Sequence, residues 1–216
     1  MLDSVRQRAN MVATQLRTND VTDARLIKAM LAVPREDFVP ETLVPLAYME
    51  GVIPLGNGRV LLDPRSFAKL AQLAAIKPED RLLDVGCATG YSTAVLAQLA
   101  KHAIGLEQDK DLAAAAVKNL KGISNAEVAS SRMSDGLPAK RPFDVIFLNG
   151  AVEKTPEALI AQLAIGGRMV CVVRQGEAGQ ARLYMKQEDD AISERSTFDA
   201  HLPVLPGFEK SRSFAF

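Results

Sequence analysis

Metal-binding side chains are scarce in this chain: two cysteines, Cys87 and Cys171, and two histidines, His102 and His201, among 216 residues. No C-x-x-C or H-x-x-x-H spacing can be assembled from them, so a structural zinc site is excluded and no metal is expected. Two cysteines do not make a disulfide framework, which fits a reducing compartment. An excess of one charge is missing too. The 26 basic and 26 acidic residues give a formal net charge of +0, without a run of like charges, so the footprint of a nucleic-acid binder is absent. No apolar stretch reaches the ~18 residues of a membrane span. The opening MLDSVRQRANMVATQL is charged and amphipathic, without the apolar core of a signal peptide. These absences predict a cytoplasmic globular protein with neither nucleic acid nor membrane as partner, monomeric or weakly oligomeric. With 48% hydrophobic residues, the chain is long enough for a full core without covalent staples.

What is present changes character along the chain. Val5, Ala9, Val12 and Leu16, then Leu26, Ala29, Met30 and Val33, recur at helical spacing, and Pro34 closes the second run. Residues 34–64 carry five prolines and read as a long irregular segment, packed and functional rather than disordered because it holds Phe38, Val39, Leu43, Leu46, Tyr48, Ile53 and Leu55. Helical spacing returns over 65–76. From Arg81 onward strands and helices alternate: strands at 81–85, 102–106, 127–130, 143–148 and 168–173, with helices at 91–99, 109–120 and 156–163. That grammar predicts an α/β fold with a mostly parallel sheet covered on both faces. Two late runs, 181–186 and 191–198, have no helix between them and predict an antiparallel hairpin at the sheet edge.

The chemistry concentrates at LLDVGCATGY, residues 82–91: a strand, a glycine-bearing turn and a helix start. Gly86 permits a tight exit from the strand, and Gly90 permits close approach of a ligand or a neighbouring backbone. A dinucleotide fingerprint requires a glycine where Ala88 stands, and Asp84 at the strand end would repel a pyrophosphate. A nicotinamide-dependent oxidoreductase is therefore disfavoured, whereas a cationic sulfonium or ammonium ligand is favoured. Glu107, 21 residues after Gly86, lies near the ~20-residue offset at which a carboxylate holds a ribose diol. Asp135 and Gly136 follow the third strand. Acidic positions at three successive strand ends fit a nucleoside joined to a cationic amino acid, S-adenosylmethionine.

The motif order extends the reading to nearly the whole chain. RANMVATQLRTNDVTDARLIKAMLAVPREDFVP, AYMEGVIPLGNG, the glycine loop, GLEQD, SDGLP, PFDVIFLNGAV and LIAQLAIGGRMVCVV resemble, in order, the segments of the protein-L-isoaspartate O-methyltransferase family. The resemblance implies a Rossmann-like class I methyltransferase fold, with residues 1–78 as a helical and loop extension on the substrate side and 79–216 as the cofactor domain, together one structural unit. It further implies methyl transfer from S-adenosylmethionine, with Asp84, Gly86, Ala88 and Gly90 lining the methionine part, Glu107 the ribose, and Asp135 and Gly136 the adenine. The acceptor is a protein, a peptide or a small molecule.

One segment departs from the family. After IPLGNG the family continues Q-T-I-S-Q-P, whereas this chain reads Arg59-Val60-Leu61-Leu62-Asp63-Pro64. Both family hydroxyls are replaced, by Val60 and Leu62. A carboxylate acceptor is already nucleophilic, so this loss removes alignment more than chemistry, and it predicts an altered acceptor site. Arg59 is a candidate carboxylate clamp through its guanidinium fork, and Asp63 and His201 are candidate bases for a hydroxyl or amine acceptor. A catalytically silent S-adenosylmethionine-binding or interaction protein is the alternative. Asn149 at the end of the fourth strand lacks the N-P-P-aromatic run of amino-methylating nucleic-acid enzymes. Cys87 reads as a small buried spacer, and HLPVLPGF, with Phe208, Phe214 and Phe216, as a cover over the sheet edge.

Overall fold

The computed structural model describes residues 2–210, so Phe214 and Phe216 lie outside the described residues. Among the described residues, six α-helices and nine strands alternate much as the hydrophobic spacing dictates. Helix α1 (Leu2–Met11) runs on through wider and tighter turns to Asn19, and α2 (Ala24–Ala32) starts on Asp23, whose carboxylate accepts from the amides of Arg25 and Leu26. Both lone-pair acceptances satisfy amides that a helix start leaves unpaired. Val5, first residue of the expected apolar stripe, is 59% exposed, and Met11 is the first fully buried apolar residue of the run, followed by Val12.

The segment at 34–64 is not structureless, which corrects the expectation. It contains an antiparallel hairpin, β1 (Ile53–Gly56) and β2 (Arg59–Leu61), joined through Asn57-Gly58. Asn-Gly between short apolar runs is the strongest local hairpin signal, and the surrounding prolines masked it. Helix α3 (Pro64–Leu73) follows directly, capped by Asp63, which accepts from the amide of Ser66 at 2.8 Å.

The main sheet has seven strands in the order β5 (Ala126–Ser130), β4 (His102–Glu107), β3 (Arg81–Val85), β6 (Phe143–Val152), β7 (Leu163–Gln175), β8 (Ala178–Lys186), β9 (Ile192–Asp199). The first five are parallel, and β8 and β9 add the expected antiparallel hairpin. Helices α4 (Tyr91–Ala97) and α5 (Lys110–Asn119) cross between parallel strands. The helix expected at 156–163 is a single turn, α6 (Glu157–Ile160), because β7 already begins at Leu163. The chain runs outward from β3 to β5, then returns past β3 to β6. This reversal leaves a crevice at the carboxyl ends of β3, β4 and β6, where open α/β sheets bind ligands.

One apolar cluster runs from Met11 through Phe67, Tyr91 and Phe147 to Leu202, so the N-terminal helices and the sheet share it. Arg168 ties the other end of the sheet to the loop after α3, donating to the carbonyls of Ala74 and Ala75 and pairing with Asp80 at 2.5 Å.

Candidate functional site

Strand β3 ends in Val85, and the chain then turns through Gly86–Gly90 into α4. Gly86, at φ 77°, must be glycine: a Cβ there would lie 2.8 Å from Arg59 Nη2 and 3.0 Å from Leu205. Gly90 meets protein instead, its missing side chain making room for Ala116 and Leu120 of and beside α5. Ala88, where a dinucleotide fingerprint would have glycine, adopts φ 49°, a left-handed conformation that costs an alanine about 1 kcal/mol. The turn holds this conformation because both its ends are tied. The Ala88 amide donates to Glu107 Oε2 at 2.9 Å, and Thr89 donates to the carbonyl of Phe38 at 2.6 Å.

Glu107 is fully buried at the end of β4. Its Oε1 accepts from the amides of Gln108 and Asp109, and its Oε2 from Ala88 and from Arg59 Nη2 at 2.9 Å. A carboxylate offers about four lone-pair directions, so Glu107 is saturated by its own chain. Arg59, the candidate carboxylate clamp, is only 4% exposed. Its Nη2 also donates to the Gly86 carbonyl at 2.8 Å, while its Nε is buried without a partner.

Asp84 lies one strand over, fully buried, accepting from Ser92 and Thr93 at 2.6 Å each and from the Asn149 amide. Burial pushes its carboxyl up to about 6, opposed by those three donors and reinforced by the negative charge of Glu107. Asn149 is thus a support for Asp84. Cys87 is buried behind the turn, its thiol pushed well up by burial and by the two carboxylates, so it is a spacer rather than a nucleophile.

Asp135 sits apart from this cluster. Its side chain is 61% exposed beside Arg132, while Gly136 packs tightly under Gln162 and Leu159. Next to them, Ser134, Lys154, Thr155, Gly207 and Phe208 line an open cavity of about 530 Å³. Residues 203–208 lie along the end of β6, with Leu205 bonded to Ala151 and packed over both Gly86 and Gly150. The HLPVLPGF segment therefore covers the ligand-binding end of the sheet, not its lateral edge.

On the hairpin side, Val60 is half-buried and Leu62 is 3% exposed. Asp63 and His201 line one cleft of about 380 Å³ with Gln15, Asn19, Glu50 and Arg65. The Asp63 carboxylate is engaged as the α3 cap.

Residues that the sequence reading passed over hold this region in place. Arg35 is fully buried and donates to the carbonyls of Ala47 at 2.7 Å and Leu62 at 2.6 Å, its guanidinium 5.0 Å from the centre of the Tyr91 ring. Arg8 donates to Tyr48 and pairs with Glu36, which also accepts from Tyr48. The available signal was a strong cation inside the apolar run LAVPREDFVP, since buried arginines persist only where their donors are used.

An open, mostly parallel sheet with a glycine turn after its first strand and a buried carboxylate ending the next defines a Rossmann-like class I methyltransferase fold. Two solved structures share it: a protein-L-isoaspartate O-methyltransferase, with a TM-score of 0.79 at 23% identity over 93% of this chain and 66% of that one, and a Plasmodium falciparum beta-aspartate methyltransferase (PCMT) in complex with S-adenosyl-L-homocysteine, with a TM-score of 0.76 at 20% identity over 94% and 97%. At those identities the likeness establishes the fold. Sequence relatives go further. Proteins named protein-L-isoaspartate O-methyltransferase from Koribacter versatilis (38% identical over 89% of this chain and 86% of theirs) and Vibrio cholerae (34% over 93% and 97%) match, and the family Protein-L-isoaspartate(D-aspartate) O-methyltransferase (PCMT) covers residues 6–204. The chain belongs to the PCMT family.

Proposed function

We propose that this protein is an S-adenosylmethionine-dependent methyltransferase of the isoaspartyl type whose acceptor site is altered. The observation that carries the reading is the arrangement of Glu107, Gly86 and Asp84 at the ends of adjacent parallel strands, in a chain of this family. The residues suit the cofactor. Glu107 is a buried acceptor at the position for a ribose diol, and the atoms nearest the point where a Gly86 Cβ would stand are the tips of two side chains, Arg59 and Leu205. Asp84, buried beside the turn, would favour a cationic sulfonium bound there. Asp135 and Gly136 are assigned to the adenine, and their neighbour Ser134 lines a cavity with Phe208.

When bound, S-adenosylmethionine supplies an electrophilic methyl group on sulfur. The chain's part is to bind, orient and exclude water, because an in-line displacement by a carboxylate needs no proton transfer. Val60 and Leu62 supply no hydroxyl to orient that carboxylate. The cleft at Asp63, Arg65 and His201 is assigned to the acceptor, with Arg65 offering it a cation.

Radiolabelled methyl transfer to an isoaspartyl peptide, followed by release of the label in mild base as expected for a methyl ester, tests this. Weak transfer by the native protein that rises at least ten-fold in a Val60→Thr, Leu62→Ser double variant supports the altered site. Native transfer that the double variant does not improve would overturn it. Binding of cofactor without transfer to any acceptor in a fractionated extract would favour the silent alternative, which the closure of Arg59 over Gly86 makes a specific second reading.

A further inference from the structure

Arg59 stands where the reading above needs the cofactor's ribose. Its Nη2 donates at once to the Gly86 carbonyl and to Glu107 Oε2, and it approaches within 2.8 Å of the point where a Gly86 Cβ would stand. A ribose diol and this guanidinium are alternative donors to one carboxylate whose remaining lone pairs are already taken by three backbone amides. They compete for one position.

We propose that Arg59 is an internal competitor for the ribose subsite and sets the affinity of this protein for S-adenosylmethionine. The proposal rests on the assignment of Glu107 to the ribose. Arg59 opens the second strand of the β1–β2 hairpin, and the hairpin tip is fastened separately, Asn57 donating to the α5 cap Asp109 at 2.7 Å on the surface. Cofactor entry therefore requires Arg59 to leave Glu107, and anything that loosens the hairpin favours entry. The closed arrangement also leaves Arg59 Nε buried without an acceptor, a standing penalty that lowers the work of opening. The family's residue at this position is a glutamine, which is neutral and cannot form the ion pair.

Titration calorimetry with S-adenosylhomocysteine, the stable demethylated cofactor, on native protein, Arg59→Gln and Asn57→Ala tests the competition. Arg59→Gln is expected to bind at least ten-fold tighter than native. Asn57→Ala, which removes only the exposed fastening, is expected to bind about three-fold tighter, in line with the weakness of one surface hydrogen bond. Equal or weaker binding by Arg59→Gln overturns the proposal while leaving the cofactor assignment intact. If Arg59→Gln fails to fold, Asn57→Ala decides, and unchanged affinity in that variant overturns it. Binding by Arg59→Gln but not by native protein supports the competition in its strongest form. No binding by any of the three overturns the cofactor assignment and the proposal with it.

Discussion

Replacing Arg35 with methionine isolates the strut that holds the acceptor side of the molecule. The side chain is fully buried, and its two bonds reach carbonyls fifteen positions apart, at Ala47 and Leu62. Methionine keeps the apolar stem and deletes both donors. Hydrogen bonds from a charged group contribute about 1.5–3 kcal/mol each, so their loss alone amounts to ~3–6 kcal/mol. Part of this is returned, because burial pulls the guanidinium below its ordinary range and Nη1 lacks a partner. Removing the ion removes that desolvation burden. Two buried carbonyls are then left without donors, and a net loss of about 3 kcal/mol is expected. That is a large share of the ~5–15 kcal/mol by which a domain is stable. Urea unfolding reads it as a lower midpoint at unchanged slope. Amide exchange should speed up around residues 47–49 and 60–62 before it does so in β3 or β6. A loss below ~1 kcal/mol would refute the reasoning, since it would mean that the two bonds and the cation over Tyr91 merely balance the burial of the charge.

Two further predictions separate structural from chemical roles. Asp63→Ala should lower stability by about 1 kcal/mol through the lost cap, with methyl transfer unchanged within a small factor; a fall of ~10²-fold or more in a folded variant would instead make Asp63 a base. Asp84 should make stability depend on pH. Its folded carboxyl is pushed up from 3.8 to about 6, so its contribution is complete below pH 3.8 and declines as pH rises to 6, by ~3 kcal/mol. The stability of native protein minus that of Asp84→Asn, measured in urea from pH 4 to 7.5, should fall with rising pH. A difference that does not change with pH would show that the three hydrogen bonds fully offset burial.

The alternation of apolar runs and turns was enough to place five parallel strands and the edge hairpin, because each strand carries its own hydrophobic pattern and each βα unit is local. The positions of the glycine turn and Glu107 were legible for the same reason, since each follows directly on the end of a strand. Less was legible at 34–64, where prolines concealed an Asn-Gly hairpin, and at 156–163, where periodicity could not tell a short helix from the start of β7.

Motif order alone was sufficient to settle the family, since segments along nearly the whole chain keep their sequence and spacing. Only the tertiary structure decided what Arg59 does. In sequence it lies 48 residues from Glu107, too far for any local pattern to pair them. The sheet's reversal past β3 and the fold of the hairpin across the end of β4 bring the two side chains together in a buried, low-dielectric place. There a lone arginine becomes the partner of a carboxylate. Asp63 also shows a contact that only the fold supplies: its carboxylate caps the start of α3.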